Sequence, residues 1–168
     1  MDDLAGRTGT IGVIMEIERK FLVAGDGWRS RVAGARRMRQ AYISNGGSTS
    51  VRVRVVDDGS AKLTVKGAAK TDGPALSRAE FEYTIPVEDA LAMLELRTGR
   101  ILEKTRHLVP AGGGRTWEID VFAGALEGLV LAEIELERAD EAIARPEWLG
   151  REVTGDPQYS NMALAQER

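Results

Sequence analysis

The sequence predicts an α+β fold that is mainly antiparallel β, a closed eight-stranded barrel with a charged lumen and helices packed outside. Three observations lead there. After Met15 most of the chain alternates apolar and polar residues with a period of two, the pattern of strands with one buried face. The links between several of these runs carry turn chemistry, Asn45-Gly46-Gly47, Asp58-Gly59, Asp72-Gly73-Pro74 and Ala111-Gly112-Gly113-Gly114, which favours hairpins over parallel crossovers. Seven of the eight candidate strands carry charges at i and i+2, so their polar faces are ionic rows rather than the usual solvated mixture.

The elements follow in order. Residues 1–14 are small, Gly-rich and aperiodic; they read as a flexible N-terminal extension to a single domain spanning 15–168. The first strand, 15–23, puts Glu16, Glu18 and Lys20 on one face. A weak helical stretch at 26–34 precedes the second strand, 37–44. There the Arg36-Arg37-Met38-Arg39 cluster reads as a solvated patch, with Arg37 and Arg39 sharing a side near an entrance. The third strand, 50–56, pairs Arg52 with Arg54 against Val51, Val53 and Val55 on the reverse, and the fourth, 60–66, aligns Lys62, Thr64 and Lys66 against Leu63 and Val65. In the fifth, 78–85, Arg78, Glu80 and Glu82 oppose Phe81 and Tyr83. Pro86 then opens a helix in which Val87, Ala90, Leu91 and Leu94 share a face, with Gly99 as its stop. Lys104 and Arg106 mark the sixth strand, 101–109, and Glu118 and Asp120 the seventh, 115–122, against Trp117, Ile119 and Val121. The eighth, 129–137, aligns Glu133, Glu135 and Glu137 against Ile134 and Leu136; weaker helices are expected at 138–145 and 159–167.

Composition excludes several classes of function. The chain has 168 residues and is 43% apolar, enough for one buried core and too evenly patterned for disorder. No cysteine is present, which rules out disulfides, thiolate zinc and cysteine nucleophiles, and the single His107 leaves no histidine cluster, so any metal must sit on oxygen. Without an apolar run of membrane-spanning length or a secretory leader, the expected location is cytoplasmic, with no membrane partner. A net charge of −3 argues against a nucleic-acid partner over the whole surface. The charge is nonetheless segregated: residues 15–66 hold eleven basic against five acidic residues, and the remainder leans acidic.

Like charges two residues apart on a strand repel by as much as about 4 kcal/mol at 4 Å in a medium of effective dielectric near 20, so such rows want counterions. Eight antiparallel strands suffice to close a barrel, which removes the sheet edges. If the apolar faces point outward, acidic and basic rows share the lumen. Helices of the chain itself, or a homodimer, would cover those outward faces, and the sequence leaves both open. Carboxylates inside would take a hard cation, for which all-oxygen ligation suits Mg²⁺ or Mn²⁺; the Lys and Arg rows would take a compact polyanion, since the Arg fork matches phosphate oxygens.

At these residues the chain resembles the CYTH superfamily, the triphosphate tunnel metalloenzymes. Glu16-Ile17-Glu18-Arg19-Lys20 matches the signature Glu-x-Glu-x-Lys, and the likeness continues in order through Arg52-Val-Arg54, Leu63-Thr-Val-Lys66-Gly67, Arg78-Ala-Glu80-Phe-Glu82, Glu103-Lys104-Thr-Arg106, Trp117-Glu118-Ile-Asp120 and Leu131-Ala-Glu133-Ile-Glu135, closing with Asp156-Pro-Gln-Tyr159-Ser-Asn161. The resemblance covers residues 15–165. It implies a tunnel that binds triphosphates through basic residues and a divalent metal through carboxylates. Carried over by position, Glu16, Glu18, Glu133 and Glu135 match metal-associated carboxylates, and Lys20, Arg52, Arg54, Lys66, Arg78, Lys104 and Arg106 match substrate-binding residues. Glu118, Asp120 and Lys20 are the catalytic candidates, the two acids as metal-associated or water-orienting groups. Glu80 and Glu82 either bind metal or hold neighbouring Arg and Lys in place, the second reading being favoured, and Lys62 ranks lower than the rest.

The implied reaction is metal-dependent hydrolysis of inorganic triphosphate, a small polyanionic substrate. The alternatives are a class IV adenylate cyclase, hydrolysis of an organic triphosphate such as thiamine triphosphate or a nucleotide, and a non-catalytic polyphosphate-binding module. The compact chain and its likeness to stand-alone bacterial members favour the first. His107 has the opposite parity to Arg106 and is expected to face outward. Trp28, Trp117 and Trp148 are read as packing residues and Tyr159 as part of a docked C-terminal helix.

Overall fold

The computed structural model describes residues 14–44, 49–68, 70–72 and 75–166; residues 1–13 of the N-terminal extension, Asn45-Gly46-Gly47 and Gly73-Pro74 lie outside them, while Ile14, read as part of the extension, already belongs to the first strand. The strands are β1 (Ile14–Val23), β2 (Gly34–Ser44), β3 (Ser50–Val56), β4 (Ala61–Lys66), β5 (Lys70–Asp72), β6 (Ala75–Thr84), β7 (Thr98–Gly112), β8 (Arg115–Phe122), β9 (Val130–Glu135) and β10 (Leu149–Glu152), and the helices are α1 (Val87–Leu94) and α2 (Asn161–Ala165). Every pairing is antiparallel, in the order β10-β1-β9-β8-β7-β2-β3-β4-β6-β5, and a further pairing of β1 with β6 closes eight strands into a barrel. The remaining two lengthen the seam. β5 takes over from β4 beside the first residues of β6 (Lys70↔Ser77), and β10 takes over from β6 beside the last residues of β1 (Phe21↔Glu152). No helix of the described residues is long and apolar enough to cross a membrane.

Alternation along the strands sends the ionic rows inward and the apolar rows outward, and three apolar clusters follow. Outside β1, β7, β8 and β9, Phe21, Val109, Trp117, Ile119, Ala132 and Ile134 pack under Trp28, Leu136 and Trp148. The cover there is irregular chain, not the helices expected at 26–34 and 138–145; only a single 3-10 turn, Arg29–Arg31, forms. A few large side chains do the covering: Trp28 lies 5.1 Å from the outward-facing His107 ring and Trp148 meets Trp117 edge-on at 5.5 Å. This irregular chain is tied down by backbone bonds, Ala24 N–H to Trp148 C=O at 2.9 Å and Ala33 N–H to Leu108 C=O at 2.8 Å.

Helix α1 covers the outside of β2, β3 and β4, packing Ala90 and Leu94 on Ala41, Val53 and Ala61. Pro86 caps it as expected, and Glu88 and Asp89 in its first turn complement the helix dipole. Leu91, assigned to the packed face from spacing, is instead 46% exposed, because the eight-residue helix has room for only a narrow stripe. At one end of the barrel the inward rows turn apolar. Tyr42, Leu102, Phe122 and Leu131 meet Val153 and Ala165 there, so that α2 seals this end. The helix expected over 159–167 is thus split into a 3-10 turn at Pro157–Tyr159 and α2, whose N-terminus is capped by Ser160 Oγ accepting from Ala163 N–H at 3.1 Å.

Gly99 is not the stop of α1, which ends at Leu94; it lies in β7 with φ +76°, against the end of α2. A Cβ there would stand 2.2 Å from the Ala165 carbonyl oxygen. Gly99→Ala combines a left-handed backbone cost of about 1–2 kcal/mol with displacement of α2, so a loss of about 2–4 kcal/mol and a melting temperature lowered by roughly 5–10 °C are expected in calorimetry. An unchanged melting temperature would show that α2 does not seal the barrel.

Candidate active site in the barrel lumen

The lumen holds a cavity of about 320 Å³, and ten of the thirteen residues singled out from the sequence line it: Glu16, Glu18, Arg52, Arg54, Lys66, Arg78, Arg106, Glu118, Glu133 and Glu135. A second cavity of about 270 Å³ lies toward the C-terminal segment. It shares Glu18, Arg52, Arg78 and Asn161 with the first, and Lys20 belongs to this far side. Lys104 and Asp120 line neither; they are buried behind Arg106, 2% and 1% exposed.

The side chains form interlocked ion pairs. Lys66 Nζ reaches both Glu16 oxygens and Glu80 Oε2 at 2.8 Å, and Arg78 Nε donates to Glu16 Oε2 at 2.7 Å. Arg106 makes a two-pronged contact with Asp120, Nε to Oδ1 and Nη2 to Oδ2 at 2.7 Å, and also holds Glu118 and Glu133, the latter at 3.0 Å. Lys104 Nζ donates to Asp120 Oδ2 at 2.5 Å, and Lys20 Nζ lies 2.8 Å from Glu133 Oε1. Glu82 gathers Arg54 at 3.0 Å and Lys62 at 2.5 Å, while Glu80 faces Lys66 and, at 4.0 Å, Arg52. This is the cation-holding arrangement read for Glu80 and Glu82 from the sequence.

The protonation behaviour follows from these partners. Burial pushes the Glu16 carboxyl up, but Lys66 and Arg78 outweigh it and hold it at about 2. Burial also raises Glu133, yet Lys20, Arg106 and Lys104 draw it well below the usual carboxylate range. Glu18 is different: burial and the neighbouring Glu133 push it up to about 7. Glu135 is raised by burial and by Glu118, Glu16 and Glu80. On the opposite wall, Arg54 is lowered by burial and by Arg52 and Arg106; behind Arg106, burial lowers Lys104 to about 8 despite Asp120. The lumen therefore has an under-compensated acidic side and an under-compensated basic side.

The acidic side has the donor chemistry for a hard cation. Glu18 faces Glu135 across β1 and β9, and Glu133 faces Glu118 across β9 and β8, placing like charges directly opposite. Among the described residues no three carboxylates converge on one point, because Lys20, Lys66, Arg78 and Arg106 draw Glu16 and Glu133 aside. Glu135 has no ion-pair partner among those residues, and Glu18 reaches only Arg78 at 3.6 Å. Two oxygen ligands left short of positive charge, beside two more held by displaceable cations, fit a divalent ion.

Strand β2 holds what the sequence reading missed. Its inward face is Arg36, Met38, Gln40 and Tyr42, so Arg36 stands at the cavity rather than Arg37 or Arg39, and Arg39 pairs with Glu103 outside at 3.5 Å. A mixed row of Arg, Met, Gln and Tyr lacks the matched charges that mark the other strands; counting in twos from Met38 would have found it. Asn161 was also passed over as a site residue. It touches both cavities and accepts from Lys104 at 3.5 Å.

A closed antiparallel barrel with acidic and basic walls facing one lumen defines a class, and the comparisons agree. The chain belongs to the CYTH domain family, whose model matches residues 15–161. It is 46% identical over 150 residues, 89% of this chain and 92% of the relative, to an inorganic triphosphatase of Acetivibrio thermocellus. To an inorganic triphosphatase of Nitrosomonas europaea it is 39% identical over 154 residues, 89% of this chain and 96% of that one. The crystal structure of the inorganic triphosphatase NE1496 superposes with a TM-score of 0.64 at 35% identity, covering 91% of this chain and 95% of that chain. Membership of the family implies a divalent metal cofactor.

Proposed function

We propose that the chain is a metal-dependent hydrolase that cleaves inorganic triphosphate to pyrophosphate and phosphate inside the barrel. One observation carries the reading: a buried basic wall with unsatisfied donors, Arg52 Nε and Arg54 Nε, faces a carboxylate wall short of positive charge across a cavity of about 320 Å³. A condensed phosphate chain and a cation together satisfy both. The curated relatives are inorganic triphosphatases over nearly their whole length, which favours this reading over cyclisation of ATP, organic triphosphates or binding alone.

In this proposal Arg52, Arg54, Lys66, Arg78 and Arg106 bind the phosphate oxygens, and the forked guanidinium groups fix the orientation of the chain. Glu16, Glu18, Glu133 and Glu135 would hold Mg²⁺ or Mn²⁺, which when bound neutralises phosphate charge and acidifies water. Glu118, exposed to the cavity and anchored by Arg106, orients the attacking water and takes its proton. Asp120 accepts two bonds from Arg106 and one from Lys104, so both it and Lys104 are assigned to positioning Arg106 rather than to touching substrate. Lys20 secures Glu133 at the passage to the second cavity. The reaction needs neither nucleic acid nor membrane, and a cytoplasmic location is part of the proposal.

The test is a panel of inorganic triphosphate, ATP and thiamine triphosphate with Mg²⁺ or Mn²⁺, measuring released phosphate and cyclic AMP. Inorganic triphosphate is expected to turn over fastest, with Arg54→Ala lowering kcat/KM roughly 100-fold through loss of a charge-assisted contact and Glu133→Ala lowering it at least as far. Dominant cyclic AMP, or full activity in either variant, would overturn it.

A further inference from the structure

The inward face of β2 holds a side chain that the reaction outlined above does not use. Gln40 is fully buried, and neither its amide oxygen nor its amide nitrogen has a hydrogen-bond partner among the described residues. It shares its face with Met38 and Tyr42, which line the two cavities, and so stands in the wall between them. Across the sheet its register partner is Arg54, whose Nε–H is likewise buried and unpartnered, while Arg54 Nη2 is drawn to Glu82 at 3.0 Å. Cross-strand partners on one face have Cβ atoms about 5 Å apart, within reach of a Gln and an Arg.

Leaving a buried donor and a buried acceptor unpaired on adjacent residues is costly, and the two are chemically complementary. In the free protein Glu82 holds the guanidinium by its far end. A bound phosphate chain offers Arg54 a stronger, multiply charged partner and releases that hold. Resting on the triphosphatase reading, we propose that Gln40 is a positioning residue for substrate binding: its Oε1 accepts the Arg54 Nε–H once a phosphate oxygen replaces Glu82, locking the guanidinium fork toward the lumen. The free protein carries the unpaired amide, and the complex uses it.

Gln40→Met keeps the unbranched shape and removes the hydrogen-bonding amide. The expected result is a KM for inorganic triphosphate raised about tenfold with kcat within about twofold, the signature of lost binding rather than lost chemistry. Without ligand the variant is expected to melt at or above the wild-type temperature, because the free protein makes no use of the amide. In an Arg54→Ala background, adding Gln40→Met is expected to cost nothing further. An unchanged KM, a full additive loss in the double variant, or a variant that melts lower or fails to fold would overturn the proposal. Calorimetric binding of inorganic triphosphate in EDTA separates it from the catalytic reading. If the wild type binds it in EDTA and still releases no phosphate once Mg²⁺ or Mn²⁺ is supplied, hydrolysis is refuted, and the Gln40 assignment is still decided by whether the variant binds about tenfold more weakly.

Discussion

Arg106→Ala will abolish turnover of inorganic triphosphate and lower the melting temperature by on the order of 10 °C. Arg106 is the hub of the acidic strands: Nε and Nη2 contact Asp120, Nη2 also reaches Glu133, and Nη1 holds Glu118. Burial alone would lower its pKa, but Asp120, Glu118 and Glu133 raise it well above the ordinary value, so the charge is held by its surroundings. Its removal leaves the fully buried Asp120 with Lys104 alone and Glu118 facing Glu133 without the guanidinium between them, Glu133 keeping only Lys20. Breaking a buried ion pair from one side costs about 3–5 kcal/mol, which for a chain of this size is worth roughly 2–4 °C per kcal/mol. Loss of an oriented charge at the reacting phosphate lowers kcat by about 10²–10³ or more. Arg106→Lys is expected to recover part of the stability and little of the activity, since a single ammonium cannot span Asp120, Glu118 and Glu133. Phosphate release and differential scanning calorimetry on the two variants check both halves. A stable, active Arg106→Ala protein would remove the hub from the scheme.

Glu18→Gln will separate stability from activity in the opposite direction. The folded protein raises Glu18 to about 7, through burial and the nearby Glu133, so it retains this proton at pH values where the unfolded chain has released it. Stability without metal therefore falls as pH rises from about 4.5 toward 7, and at pH 8 the ionised, poorly compensated carboxylate costs on the order of 3 kcal/mol. Glu16 runs the other way: held at about 2 by Lys66 and Arg78 against its burial, it contributes stability above the ordinary carboxylate value that is lost as pH falls toward 2. The metal-free protein should be most stable near pH 5. Glu18→Gln removes the alkaline decline, melts above wild type at pH 8 in EDTA, and loses catalysis. Mg²⁺ or Mn²⁺ should raise the melting temperature of the wild type at pH 8 and do so weakly in the variant. Equal pH profiles for the two proteins would show that Glu18 is not the strained group.

Much of this architecture is legible in residue order, because the lumen is written in charge. Arg52-Val-Arg54, Glu133-Ile-Glu135 and their counterparts announce both the strand and which face points inward, and closing eight such strands leaves the charges one place to go. Where charge does not mark the inward face, the reading fails. On β2 the outward Arg37 and Arg39 mimic a functional pair, while Met38 and Gln40 carry the lumen side. The segments around Trp28, Val32, Ala139 and Ile143 have helix-like apolar spacing, yet they serve as pegs over the sheet. Burial depth is also invisible along a strand: Glu118 and Asp120 share a face and a charge, but one meets the cavity and the other is sealed behind Arg106.

The way the seam is stitched bears on how the molecule is made. Strand β1 lies between β6 and β9, so Glu16 finds Arg78 sixty-two positions downstream, and Lys20 is tied by its backbone to Thr154 a further seventy-odd residues on, 134 positions away in all. β1 thus waits for β9 to emerge before the barrel can close, and loop closure over such spans is slow. Until then its Glu-Ile-Glu-Arg-Lys run is an open ribbon edge in water, and the compartment in which those charges become unusual has yet to exist. Capacity to grip an oligophosphate is in this sense acquired all at once, at the final zip, and a chain cut short before β9 would inherit the motif without the chamber.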